Sequence, residues 1–238
     1  MKVGILVYGL VGKALSKCYR RKKITPYVYD IKTKNKVSAL DILNVCIPYT
    51  KKFSNCVIRY IKQTTPQQII IHSTVPVGTA DFIKKKTKKS VISSPIRGDH
   101  NNLFQSIKTF VKYLGCDDTQ EAAKAAKHLR KLGIKCKVLT TNKSAELLKL
   151  LCTTYYGICI KWHESMSRIC QKNKVNFKDV TNWNNTYNIG YKLLKKSNVI
   201  RPVLYPPKGK IGGTCIIPNA KLLKLNKEDK FIDVLLSL

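Results

Sequence analysis

The chain has 238 residues, 44% of them hydrophobic, which suits one sizeable domain plus a smaller one and excludes intrinsic disorder. Forty-five Lys and Arg against thirteen Asp and Glu give a net charge of +32, beyond what solubility needs, and such a field attracts polyanions. No run approaches the roughly 20 apolar residues that span a bilayer, and a strand-like run begins almost at once. No membrane segment or leader is therefore expected, and the cytoplasm is the default compartment.

In chain order, the runs 3–8, 27–30, 44–49, 68–73, 90–94, 110–115 and 136–140 are short, β-branched and apolar on both parities. This is the pattern of strands covered on both faces. Helices are predicted between them at Val11–Arg21, Phe53–Lys62 and Asp118–Leu132. Strand–helix alternation implies a parallel sheet with right-handed crossovers, a Rossmann-like doubly wound α/β domain over residues 1–141. From Asn142, a candidate helix cap, apolar residues recur at steps of three and four to about Cys170. One helix of about eight turns follows, the centre of a small helical domain at 142–238. It is too long for that domain to cover alone, so a homodimer through the 142–172 helix is expected. Segment 176–200 reads as a less regular helix, 201–213 as an ordered Pro/Gly loop, and Ala220–Leu225 as a last helix before a charged tail.

The nine cysteines are odd in number and lack a CxxC pair, so most are read as buried free thiols. The four histidines show no metal-ligand spacing, and no metal site is expected. A lysine-biased genome would enrich glutamate too, yet only four occur, so acid depletion favours a polyanion-rich setting. The basic clusters are Arg20, Arg21, Lys22 and Lys23; Lys84, Lys85, Lys86, Lys88 and Lys89; and the Lys124–Lys137 segment. Each alone also fits a solvated face or a localisation signal.

The run Val7-Tyr8-Gly9-Leu10-Val11-Gly12 joins the first strand to the first helix, where a GxGxxG turn sets backbone N–H groups against a pyrophosphate. Gly9 and Gly12 keep the second and third glycines, with Leu10 and Val11 between them. Asp30, 18 residues after Gly12, is placed to hold an adenosine ribose. NAD is the expected cofactor. Val7 replaces the first glycine, and a β-branched residue there is expected to narrow or reshape the site.

These motifs, with VCIPYT (45–50), HSTVPVGT (72–79), SSPIRG (93–98), AELLKLLCTTYYGICIKWHE (145–164) and GGTCIIPN (212–219), resemble in order and spacing the UDP-glucose/GDP-mannose dehydrogenase family. The resemblance implies oxidation of a nucleotide-sugar alcohol to a carboxylate with two NAD. In that family the cysteine of the GGxC loop, here Cys215, attacks the aldehyde to give a thiohemiacetal and then a thioester, which water hydrolyses. The family's oxyanion-stabilising lysine falls at Lys149 and its water-positioning, cofactor-contacting threonine at Thr74. Lys208 and Lys210 are candidates to activate the thiol. Departures are Thr153 for an asparagine, Ile96 for a glutamate beside a retained Arg97, and Asn219 for an aspartate. Thr153 and Asn219 are carried as site candidates. His100 and His163 have no partner identifiable from sequence. The family's third, C-terminal α/β domain is expected to be absent, since the sequence ends about twenty residues after Cys215.

Two function classes follow. One is a minimal nucleotide-sugar dehydrogenase. The other is an exapted scaffold whose basic surface binds nucleic acid or an acidic assembly such as a virion or ribonucleoprotein particle.

Overall fold

A computed structural model of the chain describes residues 1–30, 33, 35–207, 209, 215–224 and 230–236. Its contacts divide it into two units, Met1–Lys149 and Leu150–Leu238, and the division falls inside one helix.

The first unit contains β1 (Val3–Leu6), α1 (Leu10–Arg20), β2 (Tyr27–Tyr29), β3 (Ile42–Val45), α2 (Phe53–Thr64), β4 (Gln68–Ile71) and α3 (Thr79–Thr87). It continues with β5 (Ser90–Ser93), α4 (Leu103–Thr109), β6 (Lys112–Gly115), α5 (Thr119–Lys131) and β7 (Cys136–Leu139). The seven strands form one sheet in the order β2-β1-β3-β4-β5-β6-β7. Every residue of β1, β3 and β4 is buried, as expected of strands covered on both faces. One core cluster joins the sheet to α1, α4 and α5, and the other joins it to α2 and α3. The fold is the Rossmann-like doubly wound α/β architecture.

One strand departs from the predicted parallel sheet. β6 runs antiparallel to β5, sharing the single register pair Ser93 and Gly115, while β7 is parallel to β6. The chain leaves β5, makes only the seven-residue α4, and re-enters from beyond the same strand end. Helices α3 and α4 were not predicted. In α3 the lysine run hides a short apolar face of Ala80 and Ile83, and α4 carries only Leu103 and Ile107 as buried apolar residues.

The long helix is α6 (Asn142–Lys172). Its predicted cap is displaced by one residue. Thr141 Oγ1 accepts the Ser144 N–H at 3.0 Å, whereas the Asn142 amide is fully buried and committed elsewhere. Asn142 Oδ1 accepts from Ser93 N at 2.8 Å, and its Nδ2 donates to Val91 O and Asp81 Oδ1, both at 3.1 Å. The residue nails the base of α6 to β5 and α3.

The second unit holds the rest of α6, α7 (Phe177–Leu193), a 3-10 turn at Ser197–Val199, α8 (Ile216–Lys224) and α9 (Lys230–Leu236). α8 begins four residues before the predicted start. Pro218 stands in its first turn, where a missing N–H has no intrahelical partner to lose. α9 occupies part of the predicted charged tail, with Ile232 and Leu235 buried. A Cβ on Gly157 of α6 would lie 2.5 Å from Ile216 Cγ2 and 3.0 Å from Leu235 Cδ2. That glycine lets α8 and α9 pack close against α6.

Candidate active site

β1 lies between β2 and β3, so the strand order reverses there, and its C-terminal end is where a doubly wound sheet offers a crevice. Val7 leaves β1 with φ +72°, the left-handed turn that glycine would make. Its N–H donates to Tyr29 O at 2.8 Å, and its half-buried side chain packs against the core on the α2/α3 face. The turn therefore keeps its shape with a β-branched residue, at a conformational cost of about 1–2 kcal/mol. Gly12 is required by contact, because a Cβ there would sit 2.3 Å from Val7 O. Gly9 has nothing within 4 Å of its would-be Cβ, and its carbonyl accepts the Lys13 N–H at 2.9 Å as α1 begins. Leu10 is exposed and Val11 half-buried in that first turn. Asp30 Oδ2 accepts from Tyr8 N at 3.0 Å, which brings the carboxylate to the turn. An open glycine at a helix start beside a carboxylate fits a dinucleotide cradle.

Because the turn already has its shape and Val7 faces the core, Val7→Gly should change the dissociation constant for NADH by less than about threefold. Relief of left-handed strain and loss of apolar contact nearly cancel, so stability should move by no more than about 1 kcal/mol. Fluorescence titration with NADH and thermal melts check both. A tightening above about tenfold would mean that the valine occludes the cradle.

At the same end of the sheet, Thr74 is half-buried in the loop after β4. Ser73 Oγ donates to Ile47 O at 2.6 Å, and Thr79 Oγ1 donates to Pro76 O at 2.6 Å. The carboxylate of Glu146, on α6, accepts from Gly78 N at 2.6 Å and Ala80 N at 2.9 Å. Burial pushes that carboxyl up to about 7, outweighing the two N–H bonds that favour its anion. Glu146 thus caps α3 from a distance and ties the Thr74 loop to the helix that carries the half-buried Lys149. Glu146→Ala leaves two buried N–H groups unmet and should lower stability by about 2–4 kcal/mol. A denaturant midpoint unchanged from wild type would contradict this anchoring.

Beneath these loops runs a buried polar chain. His72 Nε2 donates to Asn44 Oδ1 at 2.9 Å, and Asn44 Nδ2 donates to Gly4 O at 3.2 Å and Tyr19 Oη at 3.1 Å. Tyr19 Oη in turn donates to His128 Nε2 at 2.8 Å. Desolvation holds His72 well below its ordinary range and His128 down to about 4, so both rings are neutral. Beside them, Lys112 is buried with its Nζ donating to Ser94 O at 2.6 Å. Ile96, where the family has a glutamate, is buried in the core, and the Arg97 guanidinium lies 5.4 Å from the Tyr113 ring centroid.

In the second unit, Cys215 is half-buried immediately before α8, and its carbonyl accepts the Asn219 N–H at 3.0 Å. The thiol thus stands at a helix N-terminus, the end where unpaired backbone N–H groups favour an anion. Asn219 is buried and Thr153, on α6, half-buried. Lys208, Lys210 and the Gly212–Gly213 pair lie outside the described residues. His163 is buried, with Nδ1 donating to Cys159 O at 2.6 Å, and His100 is exposed. Of the nine cysteines, only Cys18, Cys46, Cys116 and Cys170 are buried, four are half-buried and Cys152 is exposed. The predicted majority of buried thiols is therefore corrected to four of nine, because Cys152 and Cys159 lie on less covered faces of α6, Cys56 on α2, Cys136 in the edge strand β7 and Cys215 before α8.

Among the described residues, no group of His, Cys, Asp and Glu is arranged to hold a metal ion, and no helix is long and apolar enough to cross a membrane. Arg20, Arg21, Lys22 and Lys23 are exposed, as are Lys85, Lys86, Lys88 and Lys89. Lys84 pairs with Asp117 at 3.7 Å. Sequence reasoning missed Glu146, the real work of Asn142, and the Asn44–Lys112 interior. The available signal was a polar residue inside an otherwise apolar run.

No protein-family model matches the chain. A UDP-N-acetyl-D-mannosamine dehydrogenase of Methanocaldococcus jannaschii is 24% identical over 229 residues, covering 84% of this chain and 50% of the relative. The chain thus spans about half the length of the curated relative it matches. A solved UDP-D-ManNAc dehydrogenase from Pyrococcus horikoshii superposes with a TM-score of 0.81 at 16% identity, over 99% of this chain and 67% of that one. The 3-hydroxyisobutyrate dehydrogenase of Mycobacterium tuberculosis gives a TM-score of 0.77 at 11% identity, over 98% of this chain and 90% of that one. In sequence the chain is similar to a UDP-N-acetyl-D-mannosamine dehydrogenase, and its fold is similar to that of solved nucleotide-sugar dehydrogenases.

Proposed function

We propose that the chain is an NAD-dependent nucleotide-sugar 6-dehydrogenase that works through a Cys215 thioester. The observation that carries this reading is the nucleotide turn: left-handed Val7, open Gly9, close-packed Gly12 and Asp30 at hydrogen-bonding distance from the turn. Asp30 would hold the adenosine ribose, and the N–H groups of Leu10, Val11 and Gly12 the pyrophosphate. The bound nicotinamide supplies the hydride acceptor. Cys215 sulfur adds to the aldehyde carbon, the Lys149 ammonium holds the oxygen that becomes negative, and Thr74 positions water. Thr153 and Asn219 supply polar contacts where the family has an amide and a carboxylate.

The test is incubation with NAD and, separately, UDP-N-acetylmannosamine, UDP-glucose and GDP-mannose, with NADH followed by absorbance and the uronic acid by mass spectrometry. Two NADH per acid is the expected stoichiometry. No NADH from any sugar nucleotide, with no binding of NADH by titration, would overturn the reading.

The enzyme is also proposed to be a homodimer through the 142–172 helix. Leu148, Leu151, Tyr155, Trp162 and Ile169 of α6 are each between 47% and 60% exposed, an apolar stripe that a monomer rarely leaves in water. Light scattering should give twice the chain mass. A monomer at micromolar concentration would rule the dimer out.

A further inference from the structure

The large positive charge is not spread evenly. On the outer face of α1 and α4, three cations converge on one half-buried ring. Lys17 Nζ and the Arg21 guanidinium each lie 4.6 Å from the Phe104 centroid, and Lys108 Nζ lies 5.6 Å from it. These distances put all three within about 10 Å of one another, close to the screening length of physiological salt, so they repel one another. None of the three forms an ion pair with a carboxylate among the described residues. Their field also reaches Cys18, where it opposes the upward push of burial on the thiol.

Helix ends account for only part of the grouping. Lys17 lies in the last turn of α1 and Lys108 in the last turn of α4, where carbonyl ends attract cations. Two helix C-termini offer roughly half a negative charge each, against three full positive charges. The remaining charge, about +2, has no carboxylate partner among the described residues. It is gathered over a ring that pins the side chains in place, which lowers the entropy lost when they meet an anion. The ring itself is covered by the cations, so it is not a stacking platform for a base. The patch also lies eight to twelve residues along the chain beyond Gly9, about 12–18 Å up α1 from the nucleotide turn.

We propose that Lys17, Arg21 and Lys108, gathered on Phe104, form a docking site for the phosphate backbone of nucleic acid, read by charge and not by base. This site is separate from the dinucleotide cradle and does not depend on catalysis. Binding of this kind releases counterions, so each phosphate contact adds about 0.7 to the slope of log affinity against log salt for a single strand. Three contacts contribute a slope of about 2, hence about 100-fold in affinity at 0.1 M salt.

The test is fluorescence anisotropy with a labelled oligothymidylate of about 20 nucleotides, long enough to cover one basic groove. It compares wild type, K17Q/R21Q/K108Q, and K85Q/K86Q/K88Q at the C-terminal end of α3, a helix that packs on the other face of the sheet. The first triple variant should bind about 100-fold more weakly at 0.1 M salt with a slope reduced by about 2, and the α3 variant should lose less than about tenfold. A labelled oligomer of random sequence should bind as tightly as the thymidylate. Circular dichroism and an unchanged NADH affinity check that the fold is intact, and R21Q alone gives a milder variant. No binding by wild type at 0.05 M salt, or an equal loss in both triple variants, would overturn the site. The second outcome would assign binding to net charge alone.

Discussion

Cys215→Ser should lower uronic-acid formation by at least about 10³-fold while leaving NADH binding within a factor of about two. The proposed step needs an anion at the sulfur position near neutral pH. A thiol approaches this condition and an aliphatic hydroxyl does not, so serine keeps the shape of the site and removes its nucleophile. Position separates this thiol from the other eight. Cys18, Cys46 and Cys116 sit in the hydrophobic core and Cys170 is buried, and burial pushes the Cys46 thiol up to about 12. Cys215 is half-buried at the first turn of a nine-residue helix. Alkylation is a poor substitute for the mutation, because the exposed Cys152 would react as well. A Cys152→Ser background makes the labelling interpretable and should turn over like wild type. If Cys215→Ser retains more than about a tenth of wild-type turnover, the thioester route is wrong.

The same contrast explains what was legible in the sequence. The strands were visible because strands buried on both faces are mostly apolar, as β1 is throughout and as β3 and β4 are apart from the buried Asn44 and Gln68, although the predicted run 44–49 starts two residues late and runs past the end of β3 at Val45. The nucleotide turn was visible because Gly9, Gly12 and Asp30 stand at fixed spacing around one strand end. Its consequence was not visible, since a valine in the sequence does not reveal a backbone at φ +72° or a side chain turned to the core. Glu146 and Asn142 were opaque for another reason. Apart from Asp81, their partners are backbone groups of Gly78, Ala80, Val91 and Ser93, roughly 50 to 70 residues away, and a backbone group leaves no trace in a residue pattern. The antiparallel β6 was missed because alternation of elements reports that a crossover exists, not which end of the sheet the chain re-enters.

Lys112 is the residue whose replacement should most change the stability of the fold. It is 4% exposed, and burial pulls its ammonium down to about 7, with Cys136 and Cys46 opposing the shift and Lys149 adding to it. An unfolded lysine titrates near 10.4. Below pH 7 both states hold the proton and the full penalty of burying the ammonium applies, about 4–5 kcal/mol. Between pH 7 and 10.4 the unfolded chain keeps a proton that the fold has released, so stability rises with pH across that window. The clean part is pH 7 to 9, because Glu146 and the two neutral histidines titrate at or below its lower edge. Above pH 9 the thiols that burial pushes up, Cys18, Cys46, Cys116 and Cys136, pull the other way, since unfolding lets them ionise. Lys112→Met keeps the length of the side chain and removes the charge, at the cost of a carbonyl on Ser94 that loses its donor, about 1–3 kcal/mol. The variant should therefore be more stable than wild type by about 2–3 kcal/mol at pH 6, with the advantage shrinking to about zero at pH 9. Urea titrations of both proteins at the two pH values measure this. An equal difference at pH 6 and pH 9 would mean that Lys112 does not change protonation in that window, and its burial would then need a compensating anion close to Nζ.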